Sequence, residues 1–442
     1  MGKIRICDAI MGSGKTEAAI RWMNDSGENE RFIFVTPYLS EVKRIITSCT
    51  KKNFKEPTRD GKGKRNGLKN LLFSGENIAT THKMFCGMNG ELFRIAHENR
   101  YNLIMDESFY DGGLNRAGGV EFPQIDYEYC KRLGVIEEHK GGVVKWIDDK
   151  YDGKAFFFIK EKITESDMVY KDGYLFENID GKDLIGFKTV TMLTYLFPFQ
   201  LQRALFDMMN LEYSFIGVEK TDAGYFFTDH IVDPPYTSKF IDRIRIIEDD
   251  RVNNIGDVRS ALCVNWFKSR RRNNGSIKAL GRNIHWAAYQ EGAKSADAMW
   301  TVYKEHKDMI DTNGYKGGFV SCNCRASNEY CNRWFAAYCV NVFINPVVKR
   351  YFESRHIYLD SDGYALSEMV QWVWRSSVRS GGDIVLYIPS SRMRQIFKEW
   401  LLNLADGGHG REFAGRKSWT NMYNKGRPVP ERHPHPEDDG VE

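Results

Sequence analysis

The chain reads as an α/β protein built on parallel sheets, and three stretches predict it. An apolar-rich run at 3–7 leads through the glycine-rich segment 9–16 into helix-like residues 17–20. A second run at 31–35 stops at Thr36-Pro37, and residues 39–46 then take helical spacing. A third run at 101–105 delivers Asp106-Glu107 at its end. Short apolar runs without alternation are the mark of strands buried on both faces, and helix-spaced segments between them supply the crossovers.

The first element carries chemistry. Gly12 and Gly14 let backbone N–H groups curl around an anionic phosphate, Ala9 and Ser13 complete the loop, and the following helix adds the positive end of its dipole. In such a loop Lys15 meets the outer phosphates and the Thr16 hydroxyl ligates Mg²⁺. The strict pattern begins with glycine, where this chain has Ala9. The strand-loop-helix context separates the segment from a chance glycine-rich turn, so a nucleoside triphosphate is the expected ligand. An Asp-Glu pair is common by itself. After a buried strand downstream of a phosphate loop it gains meaning: Asp106 is placed for the Mg²⁺ shell and Glu107 to polarise the attacking water.

Composition bounds the rest. At 442 residues the chain is too long for one core. No apolar run reaches transmembrane length, and the first residues read as strand and loop rather than signal peptide, so a cytoplasmic protein that does not enter a membrane is expected. A net charge of +4 is too mild to announce a nucleic-acid partner. Of nine cysteines, four cluster at Cys322, Cys324, Cys331 and Cys339, but their spacing matches no common zinc knuckle. Their surroundings at 319–321 and 334–338 look like core strand and helix, which points to buried free thiols in a reducing compartment. Residues 50–70 are rich in lysine and arginine among glycines, and either a solvated loop or a phosphate-contacting one fits them.

Further along, residues 77–82 read as a strand end. Aromatic and β-branched runs at 142–147, 155–159 and 168–176, with Asp-Gly turns, predict a small β-rich insertion. Residues 268–274 begin a basic linker, 283–288 read as a strand, and the Gly-, Pro-, His- and charge-rich tail reads as flexible.

Taken together, these motifs resemble the superfamily-two (DEAD/DEAH-like) helicases, and most closely helicase-like proteins of phages and plasmids. The loop from Ala9 to Thr16 is similar to that family's A-x-x-G-x-G-K-T, and Thr36 lies in a segment like its motif Ia. Thr80-Thr81-His82 resembles a DNA-contacting turn and Asp106-Glu107-Ser108-Phe109 the D-E-x-x box. Residues 190–195 resemble motif III, although Thr194-Tyr195-Leu196 lacks the usual hydroxyl at its end. Arg325, Ser327, Asn328 and Glu329 sit where motif V belongs. Residues 368–379 resemble motif VI, with Gln371 and Arg375 four apart on one helical face that Arg379 continues. Trp374 replaces the family's glycine and Val378 stands where its second arginine would fall, which leaves open whether Arg375 or Arg379 is the arginine finger.

The resemblance implies two tandem RecA-like domains, 1–200 with the insertion at 111–185 and then 201–404, followed by a tail at 405–442. It implies ATP and Mg²⁺ as cofactors, with Lys15, Glu107, Gln371, Arg375 and Arg379 catalytic. It also implies sequence-independent contacts from Thr36, Thr80, His82, Ser327 and Asn328 to the sugar-phosphate of single-stranded DNA, or RNA. Replication or recombination proteins would be further partners, and a phage-encoded chain would work in the host cytoplasm. Eight residues precede the loop, too few for the family's Q motif, so adenine-specific contacts are not expected and ATP rests on the resemblance. Three functions fit: a helicase or translocase, a nucleic-acid-stimulated ATPase that remodels or loads other proteins, and a catalytically poor nucleic-acid clamp. Intact Lys15, Thr16, Asp106 and Glu107 argue against the last.

Overall fold

The computed structural model describes residues 3–59, 63–109, 120–139, 142–165, 168–177, 181–229, 240–271, 274–322 and 329–405. The chain first lays down four strands: β1 (Lys3–Asp8), β2 (Phe32–Thr36), β3 (Ile78–Thr81) and β4 (Asn102–Asp106). It then builds a separate sheet from β5 (Val120–Glu121), β6 (Ile136–His139), β7 (Val143–Trp146), β8 (Met168–Lys171) and β9 (Tyr174–Glu177). β10 (Thr189–Thr194), β11 (Tyr213–Thr221) and β12 (Gly224–Thr228) return to the first sheet. Its order is β12-β11-β1-β10-β4-β2-β3, with every pairing parallel except the β11–β12 hairpin. Because β11 and β12 belong to it, this sheet runs past residue 200, where the sequence had suggested a boundary.

Alternation along each strand explains why helices cover both faces. In β2, Ile33 and Val35 enter one apolar cluster while Phe32 and Phe34 enter the opposite one. All four are inaccessible to solvent. A strand so buried reads in sequence as an unbroken apolar run, and each such side chain contributes about 1.5–3 kcal/mol.

A second parallel sheet, of order β13-β16-β15-β14, is formed by β13 (Ile244–Ile246), β14 (Ala298–Thr301), β15 (Phe335–Tyr338) and β16 (Ile384–Tyr387). Thus the fold is α/β, with two parallel sheets flanked by helices. The five-stranded sheet between β4 and β10 is antiparallel, in order β5-β9-β8-β7-β6. Its β8–β9 turn places Asp172 and Gly173 at φ of 50° and 84°, the paired positive values an Asp-Gly hairpin turn requires.

Several segments differ from the sequence expectation. Residues 155–159 are not a strand: Lys154–Phe156 is a 3₁₀ turn and Phe157–Glu165 an α-helix, which buries Ile159 and Ile163 one turn apart. Residues 283–288 lie inside the helix Gly275–Gln290, whose buried Ile277, Leu280, Ile284 and Ala288 form one stripe. Residues 334–338 hold the strand β15 rather than a helix, since Phe335 and Ala337 face one core cluster and Ala336 and Tyr338 the other. The tail from residue 406 lies outside the described residues.

The two parallel sheets share packing. Ile10, Tyr195, Leu196 and Phe199 from the first join Met369, Trp372, Trp374 and Trp400 from the second in one apolar cluster. Tyr195, in the segment that resembles motif III, is therefore a buried contact whose ring lies 6.5 Å from that of Trp400.

Candidate functional site

The site lies where the ends of β1, β4 and β10 meet. The Asp8 carboxylate accepts the backbone N–H groups of Leu196 and Phe197 at 2.7 and 3.2 Å, tying β1 to the turn after β10. From there the loop climbs through Gly12 and Gly14, at φ of 84° and 91°, a left-handed conformation that glycine adopts without strain. Gly14 directly precedes the helix Lys15–Asp25 and has no side chain to cap it, so the helix end offers its N–H groups to a ligand. The Lys15 ammonium donates to the Ala9 and Ile10 carbonyls at 2.5 and 3.1 Å. The Ser13 hydroxyl is buried, with no hydrogen-bond partner among the described residues.

Across the loop stand the two carboxylates. Asp106 ends β4, and Glu107 follows at φ +67°, held there by its N–H donating to the Leu193 carbonyl at 2.8 Å. A left-handed glutamate costs about 1–3 kcal/mol, and such strain gathers at functional sites. The Glu107 Oε2 atom is buried, with no hydrogen-bond partner among the described residues. Burial, and then the charge of Glu107, push the Asp106 carboxyl up to about 7, against the pull of Lys15.

A cleft of about 220 Å³ joins these groups to the second sheet's elements. Gly12, Gly14, Lys15 and Thr16 line one side with Asp106 and Glu107, while Gln371, Arg375 and Arg379 line the other. The last three do not share one helical face, as the sequence had suggested. The helix Ser361–Val373 ends two residues before Arg375, and Arg379 lies in the separate 3₁₀ turn Ser377–Ser380. The break has a local cause: Ser376 turns extended and its hydroxyl donates to the Val373 carbonyl at 2.6 Å, while Gly381 caps the turn at φ +79°. All three side chains nevertheless reach the same cleft. Trp374, in the place of the family's glycine, also lines it and packs edge-on against Phe240 at 5.0 Å.

Glu17, Arg44 and Tyr225, which the sequence reading gave no role, also line the cleft, as does Glu41 from the segment that resembles motif Ia. Burial lowers the Arg44 guanidinium's pKa, but ion pairs with Glu41 at 3.0 Å and with Glu17 outweigh it and hold it above its ordinary value. Helical spacing of Glu41 and Arg44 was visible; their facing Glu17 across the loop was not.

The expected nucleic-acid contacts fare differently. Thr36 and Thr80 are 0% and 3% exposed, because β2 and its neighbour β3 are covered on both faces there, so neither side chain is available to a strand in this structure. His82 is half-buried, and a ring nitrogen lies 2.9 Å from the Asp106 carbonyl. Ser327 and Asn328 lie outside the described residues, as does Cys324. Cys322 and Cys331 are half-buried and Cys339 is buried, and none of the three is in a disulfide among the described residues. Cations of the basic stretch are mostly tied to their surroundings: Lys55 pairs with Glu76 at 2.8 Å, Lys69 with Glu91 at 2.7 Å, and Arg65 donates to the Gly87 carbonyl at 2.6 Å.

The SPbeta prophage-derived uncharacterized protein YonV of Bacillus subtilis (strain 168) is 34% identical over 418 residues, which cover 91% of this chain and 100% of that protein. The chain belongs to the YonV family. A model described as the YonV C-terminal Rossmann-like domain matches residues 238–401, the part that holds the second parallel sheet. Among solved structures the YonV-family chain is similar to one titled XPD_APO, with a TM-score of 0.47 and 11% identity over 90% of this chain and 95% of that one. It is similar also to S. tokodaii Xpd4, with a TM-score of 0.46 and 14% identity over 90% and 94%. Likenesses this loose say nothing about activity. Among the described residues no helix is long and apolar enough to cross a membrane.

The raised Asp106 carboxyl gives this YonV-family chain a testable signature. A carboxyl whose folded pKa lies above its unfolded one stabilises the fold at low pH, and that stability is lost as pH rises through the folded value. The ligand-free protein should therefore lose stability from this group between about pH 4 and 7. Asp106→Asn should flatten that slope and raise stability at pH 8 by on the order of 1–3 kcal/mol. Thermal unfolding across this pH range checks it, and identical profiles for both proteins would contradict the assignment.

Proposed function

We propose that the chain is an ATP hydrolase of the helicase type, which couples closure of two α/β units around a nucleotide to movement along nucleic acid. One observation carries the reading: a phosphate-type loop and two carboxylates on one sheet face a glutamine and two arginines from the other across a single cleft. The buried orphan hydroxyl of Ser13, the orphan Glu107 Oε2 and the two left-handed loop glycines fit a bound triphosphate. Each group is left to be satisfied by a ligand.

In this mechanism the loop N–H groups cradle the phosphates, and Lys15 leaves its carbonyl partners for the outer phosphate oxygens. Glu107 accepts the proton of the attacking water, and Arg375 and Arg379 meet the charge that develops on the transferred phosphoryl group. The Thr16 hydroxyl and the Asp106 carboxylate would hold Mg²⁺, which supplies charge neutralisation at the phosphate oxygens when bound. Mg²⁺ in such sites is held mainly by substrate oxygens and water, with one or two protein groups.

The His82 turn supports coupling to nucleic acid, because that ring contacts the carbonyl of the very residue assigned to Mg²⁺. A strand gripped at this turn would shift the Asp106-Glu107 backbone directly.

ATP hydrolysis with single-stranded DNA, duplex DNA and RNA, followed by strand displacement, tests the proposal. Turnover should rise with single-stranded nucleic acid. Stimulated turnover without displacement would assign the protein to remodelling or loading instead. Lys15→Ala should abolish turnover, by at least about 10²-fold, without unfolding the chain, since lysine acts there as a point charge on phosphate. Parent-rate hydrolysis in a folded Lys15→Ala protein would remove the loop from the mechanism.

A further inference from the structure

The β11–β12 hairpin holds an aromatic ring in the cleft that the phosphate chemistry does not use. β11 outruns its neighbour: Cys7 of β1 pairs with Ile216, yet β11 continues to Thr221, and Tyr225 lies opposite Lys220 on the overhanging part. The overhang brings the Tyr225 ring over the phosphate loop. Were Gly14 given a Cβ, that atom would lie 2.1 and 2.3 Å from the ring's Cδ1 and Cε1, so only glycine lets the ring sit there. The ring is half-buried and lines the same cleft as Lys15 and Thr16.

Its position is fixed by neighbours. Arg21, on the helix Lys15–Asp25, donates to the Ala223 carbonyl in the hairpin turn and lies 4.0 Å from the centroid of the Phe226 ring. One residue on, Trp22 meets Phe227 edge-on at 6.2 Å. Both flanks of Tyr225 are thus clamped to the helix whose N-terminus would hold the phosphates. A platform immobilised before binding loses little entropy when a ligand arrives.

We propose that Tyr225 is the nucleobase platform of this site, and that the protein selects purine nucleoside triphosphates by stacking on it. The proposal rests on the reading of the cleft as a triphosphate site. A triphosphate gripped by the loop leaves its base beyond the N-terminus of that helix, and Tyr225 is the aromatic ring that covers Gly14 there. Stacking scales with ring area, so purines bind tighter than pyrimidines while adenine and guanine are held alike.

The test compares ATP, GTP, CTP, UTP and inorganic tripolyphosphate on the parent protein, Tyr225→Ala and Tyr225→Trp. Loss of the ring should weaken ATP and GTP by roughly 5- to 150-fold, CTP and UTP less, and tripolyphosphate not at all. Tyr225→Trp should restore purine binding. If Tyr225→Ala holds ATP as the parent does, the platform is wrong and the phosphate site stands. If tripolyphosphate weakens equally, the ring merely packs on Gly14 and the proposal is overturned. A parent protein that binds neither ATP nor tripolyphosphate removes the phosphate site, and the platform with it.

Discussion

Arg379→Ala and Arg375→Ala should each cut ATP turnover by about 10³-fold or more while nucleotide affinity stays nearly unchanged. Both side chains reach the cleft from the second sheet's side, opposite the loop and carboxylates. A cation that meets the phosphoryl charge only when the two units close acts on the transition state, so its loss is read in turnover rather than binding. The Arg379 backbone carbonyl lies 3.8 Å from where a Gly12 Cβ would be, placing its 3₁₀ turn directly against the phosphate loop. Arg375 is 3% exposed and is fixed where the motif helix ends. This arrangement suits Arg379 as the finger and Arg375 as a clamp. Single-turnover hydrolysis and nucleotide binding on both variants decide the matter. Normal turnover in both, with nucleic acid present, would make the segment a packing element.

Glu107→Gln should retain ATP and lose about 10²–10⁴-fold in hydrolysis. Glutamine keeps the shape and can hydrogen-bond but cannot take the water's proton. The strained φ of +67° and the partnerless Oε2 both argue that this residue is held for a ligand rather than for the fold. The variant should accumulate bound ATP. If it hydrolyses at the parent rate, Glu107 is only a residue past a strand end.

How far these sites could be read in the sequence depended on how local their geometry is. Lys15 and Thr16 open a helix at the end of a strand, and that spacing is set within one turn of chain. Asp106 is likewise delivered by the strand before it. By contrast, residues 283–288 mix β-branched, aromatic and small side chains that suit strand or helix, and the longer stripe over Gly275–Gln290 decided for helix. Thr36 and Thr80 looked like strand-end hydroxyls open to a ligand, but exposure depends on what packs above the sheet.

By itself the sequence determined the α/β class, the glycine-rich strand-loop-helix turn and the carboxylate pair at a strand end, because runs of buried side chains and left-handed glycines impose local rules that survive in any packing. The tertiary structure alone decided that Gln371, Arg375 and Arg379 reach one cleft from a helix end and a separate 3₁₀ turn, and that Tyr225 covers Gly14. Those contacts join residues far apart in the chain. They follow from strand order, from the overhang of β11 and from the apolar seam between the sheets, none of which has a sequence period.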